Sequence, residues 1–315
     1  MRRLLALLLF AACSAHAAYP EKPIRFILPS AAGGSVDVLM RVLAQQLSTQ
    51  MGVAFVVENK PGGAFVPGTM DIVRAPPDGY TLGYGNIVSL AINRALLPKL
   101  PYDVEKDLTL ISNCVQVFNM LAVNNDLPVR SVQELVAYAK KNPGKLTNGS
   151  SGNGTTGHLG GELFKFMTGT DIVHVPYKGS PQAINDLMAG NIQVMFDNVP
   201  SIGPHVKAGR VRGLGVSAPK RAAQFPDIPT IAEAVPAYET NSWGGVIGPA
   251  KLPNEIVSRL TVEIRQALTS PAVAERYRQL DTEPDGAGPE AFLELVRKET
   301  PNWADVVKKS GAKVD

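Results

Sequence analysis

Two glycine-rich turns, each set between a strand-like apolar run and a helical pattern, constrain this chain more than any other feature. The first, Pro29-Ser30-Ala31-Ala32-Gly33-Gly34-Ser35-Val36-Asp37, follows the run Ile24 to Leu28. The second, Asn148-Gly149-Ser150-Ser151-Gly152-Asn153-Gly154-Thr155-Thr156-Gly157-His158, precedes a helix expected from about Leu159. A turn of this kind leaves unpaired backbone N–H groups at a helix N-terminus, where the helix dipole is positive. Taken singly, Gly33 and Gly34 need do no more than permit a tight turn, with Asp37 as a first-turn acid that complements the dipole. Two such turns facing one another make a preformed, dry site for an anion such as a carboxylate. That is a device for binding before it is one for catalysis.

The rest of the chain alternates strands and helices. After the first turn, Val36, Leu39, Val42, Leu43 and Leu47 recur at helical spacing, Gly52 marks a helix end, and Val53–Val57 and Tyr80–Tyr84 read as strands. A second block carries strand candidates at Met120–Val123, Lys145–Thr147, Ile172–Val175, Gln193–Phe196 and Arg212–Val216. Helical stretches lie around Val132–Lys141, Leu159–Met167, Pro181–Ala189 and Ser201–Ala208, with Gly169 and Gly190 just past two of them. From Asn254 onward the pattern is helical, with Leu295 and Trp303 as packing anchors. This βαβ alternation predicts an α/β fold of two lobes, each a mainly parallel sheet flanked by helices. Ligands in such sheets sit beyond the carboxyl ends of the strands, where both turns fall, so a cleft between the lobes is expected.

The ends bound the compartment. Arg2 and Arg3, the apolar stretch Leu4 to Ala12 and the small-x-small pattern Ala15-His16-Ala17 predict a cleaved export signal over residues 1–17. The rival reading makes Cys13 a lipid-modified residue, for which Phe10 is a poor recognition residue. Either way the working protein is expected outside the cytoplasm. Losing two arginines leaves 29 basic against 28 acidic residues and takes the net charge from +3 to +1. A near-neutral, interspersed surface argues against nucleic acid or anionic membrane as partner. Cys114 is then the one cysteine left, expected as a buried thiol.

Catalytic and cofactor patterns fare poorly. Gly152-x-Gly154-x-x-Gly157 spells a dinucleotide fingerprint, yet the following strand ends Val175-Pro176-Tyr177 without the acid that would hold a ribose. No G-x-S-x-G elbow accompanies Ser150, Ser151 and His158, which leaves a hydrolase as the lesser alternative. His158, His174 and His205 show no metal-ligand spacing. No catalytic residue, metal or cofactor is therefore expected.

At this point the chain resembles the Bug-type solute receptors, the extracytoplasmic binding components of tripartite tricarboxylate transporters. The resemblance is carried by Leu28 to Asp37, Val57-Glu58-Asn59-Lys60-Pro61-Gly62, Pro77-Asp78-Gly79-Tyr80-Thr81-Leu82, Gly149 to Thr155 with His158-Leu159, Val175-Pro176-Tyr177-Lys178-Gly179-Ser180, Asp227-Ile228-Pro229-Thr230 and Ser242-Trp243. It implies a two-lobed periplasmic binding protein, with residues 18–120 and 242–315 as lobe 1 and 121–241 as lobe 2. It implies a small carboxylate ligand, permease subunits as partners and a monomer in the periplasm. A ligand sensor feeding a signalling system would use the same pocket.

The resemblance further implies that Ser30, Ala31, Ala32, Gly33, Gly34, Ser35 and Asp37 meet the ligand's proximal carboxylate from one side. Ser150, Ser151, Gly154, Thr155 and His158 meet it from the other, with Tyr177, Lys178 and Asp197 reaching the cleft from the second lobe. Phe65, Asn86, Ser89 and Asn198 are expected to shape the distal pocket. Two departures from relatives bear on specificity. Ala64-Phe65-Val66-Pro67 stands where small, glycine-rich residues are usual, and Gly244 stands where many relatives carry a bulky residue.

Overall fold

The computed structural model of the protein describes residues 19–312; the expected leader and Cys13 lie outside them. The first block runs β1 (Ile24–Leu28), α1 (Ser35–Met51), β2 (Phe55–Asn59), α2 (Val66–Val73) and β3 (Thr81–Asn86). β1 is buried along nearly its whole length, as a central strand covered on both faces must be. α1 buries Leu39, Met40, Leu43 and Leu47, and Gly52 ends it in the left-handed conformation with its N–H on the Ser48 carbonyl. A π-helical segment, Val88–Ile92, leads to the short helices α3 (Asn93–Leu96) and α4 (Val104–Asp107).

The second block follows as β4 (Leu108–Val123), α5 (Val132–Lys141), β5 (Leu146–Ser150), α6 (Thr156–Thr168), β6 (Ile172–Pro176), α7 (Ser180–Ala189), β7 (Val194–Asn198), α8 (Val199–Lys207) and β8 (Arg212–Val216). The chain closes with β9 (Asn241–Pro249), α9 (Asn254–Thr269), α10 (Pro271–Gln279), β10 (Glu283–Pro284) and α11 (Pro289–Ser310). The expected helices of both blocks form within a few residues of their predicted bounds. Gly169 and Gly190 take the left-handed cap positions expected of them.

Strand order shows how the two lobes are joined. In the first, β2, β1 and β3 are parallel, β9 runs against β3, and β4 runs against β9. In the second, β6, β5 and β7 are parallel, β4 runs against β7, and β8 runs against β4. Both are therefore mainly parallel in direction; among the described residues β4 alone is reversed in the second, whereas in the first β9 is reversed and so is the short β10, which runs against β4. β4 serves both: it pairs with β9 as far as Phe118 and with β7 from Asn119 onward. The returning connection is tied to it by Ser217, whose hydroxyl accepts from the Asn119 N–H at 2.9 Å and donates to the Thr240 carbonyl at 2.5 Å.

β9 was not evident in the sequence. Its run Asn241-Ser242-Trp243-Gly244-Gly245 is poor in β-formers, because close packing leaves no room for side chains there. A Cβ at Gly245 would strike the Ser112 carbonyl, and one at Gly244 the Tyr84 hydroxyl. On the outer faces α1, α9 and α10 cover one side, where the Tyr277 hydroxyl donates to the Leu39 carbonyl at 3.1 Å. α11 covers the other, burying Trp303 and Phe292 against Trp243, with Leu295 at the margin. Cys114 is fully buried, and burial pushes its thiol up to about 12.

Candidate functional site

The first turn is held open from behind. Gly33 has φ +78°, a conformation that favours glycine, and its N–H donates to Asp37 Oδ2 at 2.9 Å. Asp37 Oδ1 accepts from Arg41 Nε and Asn59 Nδ2, both at 2.9 Å. Burial acts to raise the Asp37 carboxyl, but the Arg41, Gly33 and Asn59 hydrogen bonds outweigh it and hold the group below its usual range. α1 then begins at Gly34 with no side-chain cap, so the Ser35 and Val36 N–H groups have no partner within the helix. Ser30, Ala31, Gly34 and Ser35 line the cleft. Ala32, Gly33 and Asp37 do not: Gly33 and Asp37 brace the turn, and Ala32 is exposed.

The second turn has a neutral brace. Thr155 caps α6, accepting from the His158 N–H at 3.4 Å while donating to the Gly152 carbonyl at 2.8 Å. His158 Nδ1 accepts from the Gly154 N–H at 3.0 Å, and its ring stacks on His174 with centroids 3.9 Å apart. His174 Nε2 in turn lies 2.7 Å from Ser150 Oγ. Burial pushes His158 down to about 4 and His174 down to about 3, so both are neutral imidazoles at physiological pH. Ser151 and Thr155 line the cleft, whereas Ser150, Gly154 and His158 sit behind it. The dinucleotide-like spacing has a packing explanation: Gly154 needs its φ of +78°, and a Cβ at Gly157 would strike the Phe196 carbonyl.

Two further helix starts meet the same space. α7 begins at Gly179 and α8 at Asn198, and Gly179, Ser180, Asp197 and Asn198 all line the cleft. Pro181 and Pro200 near those helix starts were the sequence signal for them. The N-termini of α1, α6, α7 and α8 thus converge on one cleft of about 580 Å³, which also takes in Phe65 at the start of α2. Its walls also touch: Asn198 Nδ2 donates to Ser35 Oγ at 3.0 Å, and Gly179 packs so closely on Ala31 that a Cβ would clash.

Asp197 is buried at the end of β7. Its Oδ1 accepts from Ser180 Oγ at 3.0 Å, while Oδ2 has no hydrogen-bond partner among the described residues. Burial pushes its carboxyl up to about 7, against the hydrogen bonds from Ser180 and the Asn198 N–H. The Tyr177 hydroxyl donates to Asp186 Oδ2 at 2.6 Å and its ring lines the cleft, with Lys178 exposed at the rim.

The distal wall carries this chain's peculiarity. Gly62, Gly63, Ala64 and Phe65 all have positive φ, at 99°, 53°, 49° and 68°. Such backbone favours glycine, so Ala64 and Phe65 occupy it at a cost of about 1–2 kcal/mol each. The turn is pinned by Asn93 Nδ2 on the Ala64 carbonyl at 2.8 Å and Thr69 Oγ1 on the Phe65 carbonyl at 2.9 Å. Phe65 lines the cleft beside Asn86 and Val88. Ser89 lies behind them, its N–H donating to Asn86 Oδ1 at 3.0 Å. Gly244 is not part of the lining, since the space beside it is filled by Tyr84 rather than opening to the cleft. Among the described residues no group of three or more His, Cys, Asp or Glu could hold a metal ion.

This geometry has clear counterparts. The family described as tripartite tricarboxylate transporter family receptor matches residues 39–312. Protein BugT of Bordetella pertussis is 35% identical over 323 residues, covering all of this chain and 99% of that protein. Among solved structures, R. palustris Rpa4515 with adipate is 37% identical with a TM-score of 0.91, over 94% of this chain and all of that one. MatC (Rpa3494) of Rhodopseudomonas palustris with bound malate is 26% identical with a TM-score of 0.87, over 92% of this chain and all of that one.

Proposed function

Since the chain belongs to the tripartite tricarboxylate transporter receptor family, we propose that it binds a small carboxylate in the cleft and presents it, unchanged, to membrane permease subunits. The observation that carries this reading is the convergence of the N-termini of α1, α6, α7 and α8 on one cleft whose lining includes a single cationic side chain, Lys178, at its rim. A carboxylate gains charge-assisted hydrogen bonds from fixed N–H groups there, without a buried countercharge. The adipate and malate in the two relatives are acids of this size. Phe65 and Val88 offer an apolar wall to the remainder of the ligand.

In this reading the lobes are residues 18–120 with 242–315, and 121–241, hinged where β4 passes Phe118 and Asn119 and where the chain returns near Thr240. Ligand contacts to both sides favour the closed form over an open one, and the closed surface is what the permease reads. The receptor acts as a monomer in the periplasm, after loss of the leader expected over residues 1–17.

The test is a thermal-shift screen of unfolded and refolded protein against small carboxylates and their amides. Refolding removes any ligand carried through purification. An acid at about 100 times its Kd adds about 2.7 kcal/mol, and its amide should add none. No shift with any acid would refute the carboxylate reading. Turnover of a bound acid would revive the hydrolase alternative.

A further inference from the structure

We propose that binding of the acid takes up one proton from solvent, and that the Asp197 carboxyl holds it on Oδ2. This rests on the carboxylate reading above. Asp197 is 4% exposed and lines the cleft, yet Oδ2 lacks any hydrogen-bond partner among the described residues. A buried carboxylate oxygen without a donor is costly, and a proton on that oxygen removes the charge. Oδ1 keeps its own donor, the Ser180 hydroxyl, so the free oxygen is the one left to carry the proton.

The surrounding charges do not cancel the effect. On α7, Asp186 is taken by the Tyr177 hydroxyl, and on α6, Lys165 is paired with Glu162. His158 on α6 and His174 on β6 are stacked and neutral, and on α1 Asp37 is paired with Arg41. α8 carries His205 and Lys207 in its last turn, away from the helix start beside Asp197. Across the sheet, β4 presents Met120 opposite Asp197. Lys178 alone among the cationic side chains of the described residues shares the lining, and it is exposed.

An incoming carboxylate therefore sets a second negative charge in the cleft that holds Asp197, and two like charges in a dry site cannot both persist cheaply. Protonation of Asp197 removes that repulsion. Burial already places its titration near neutrality in the empty receptor, so the proton is available at physiological pH. Reciprocity then requires that affinity fall as pH rises, by up to tenfold per unit above that titration.

The decisive measurement is calorimetric titration of the refolded receptor with adipate, malate and benzoate at pH 6.5 and 8.5, in buffers of different ionisation enthalpy. The expected result is close to one proton absorbed per acid at pH 8.5, and affinity at least about tenfold weaker there than at pH 6.5. Asp197→Asn should absorb no proton and bind more tightly than wild type at pH 8.5, because its amide is uncharged at every pH. Ser180→Ala should move the wild-type pH dependence upward. Binding without proton uptake in wild type overturns the proposal and leaves the carboxylate reading intact. Uptake that persists in Asp197→Asn, or a large loss of affinity in that variant at pH 8.5, overturns it too, the latter indicating an ionised Asp197 paired with a cationic group on the ligand. If none of the three acids binds at either pH, both readings fall.

Discussion

At the start of α1 an ionised network of Asp37, Arg41 and Asn59 sets the turn, whereas at the start of α6 two stacked neutral imidazoles do. Both braces leave helix N–H groups facing the same cleft. The charged brace draws its strength from hydrogen bonds to a buried carboxylate whose partner Arg41 is half exposed. The neutral brace depends on keeping water and protons away from two rings. The same local geometry is thus reached by two chemistries that should fail under different conditions, and this makes them separable by experiment.

The largest effect should come from the packing of the second turn. Gly157→Ala places a methyl on the Phe196 carbonyl and should destabilise the fold by about 3 kcal/mol or more, read as a fall in the urea midpoint. Gly34→Val in the first turn meets only the Ala31 carbonyl at 3.4 Å. It should leave unfolding cooperative and obstruct the ligand. Equal destabilisation by both would dissolve the distinction between a packing glycine and an approach glycine.

Removing the charged brace comes next. Asp37→Ala frees Gly33, Arg41 and Asn59 together and should cost roughly 1–3 kcal/mol, given that bonds to a charged group carry most of it and Arg41 is half exposed. Affinity for the acid should fall as well, although Asp37 does not touch the cleft. A variant with unchanged binding would show that the turn keeps its shape without the network.

The pH response sharpens the contrast. His158 and His174 have folded values pushed below the ordinary imidazole value of 6.5, to about 4 and about 3. Their contribution to stability is therefore present above pH 6.5 and is lost as pH falls from there through about 4 and 3. Asp197 has the opposite sign: raised to about 7 from an ordinary value of 3.8, its contribution is full below 3.8 and lost as pH rises through 7. Asp37, held low, contributes above 3.8 and loses this only at pH values lower still. Urea midpoints between pH 7 and 4.5 should thus decline more steeply in Asp197→Asn than in wild type, and His174→Gln should flatten the decline. A flat profile in all three would remove the neutral brace from the account.

The smallest effect is expected at Phe65. Phe65→Gly relieves a left-handed backbone while losing a half-buried ring, so stability should change by no more than about 1 kcal/mol. What should change is the range of acids bound, with bulkier ones admitted in the thermal-shift screen. An unaltered ligand range would show that Phe65 does not shape the distal pocket.

Much of the fold was legible because it is local. Ile24–Leu28 is buried as a central strand, and Gly52, Gly169 and Gly190 each stop a helix as their spacing foretells. The first and second turns could be read for the same reason. What escaped is what tertiary contact decides. β9 hides behind glycines that exist to let Tyr84 and Ser112 approach, and Asp37 looked like a ligand residue because sequence cannot show which way a carboxylate turns. The helix starts at Gly179 and Asn198 were marked by Pro181 and Pro200 but had no glycine-rich run to draw notice.

The sharing of β4 reaches beyond hinge motion to how the chain acquires its structure. Its Leu108–Phe118 stretch pairs with β9, with the two-residue β10 on its other edge, and its Asn119–Val123 stretch is the inner strand between β7 and β8. The first half cannot complete its sheet until β9, far beyond Asn119, is in place, and Ser217 then ties the outgoing and returning chain at that level. Synthesis of the first 120 residues therefore leaves the first lobe without β9, which lies more than a hundred residues downstream. The second lobe, by contrast, has all its strands once β8 is made. The later-encoded lobe is the one equipped to fold first, with its sheet serving as the template on which the chain's two ends finally meet.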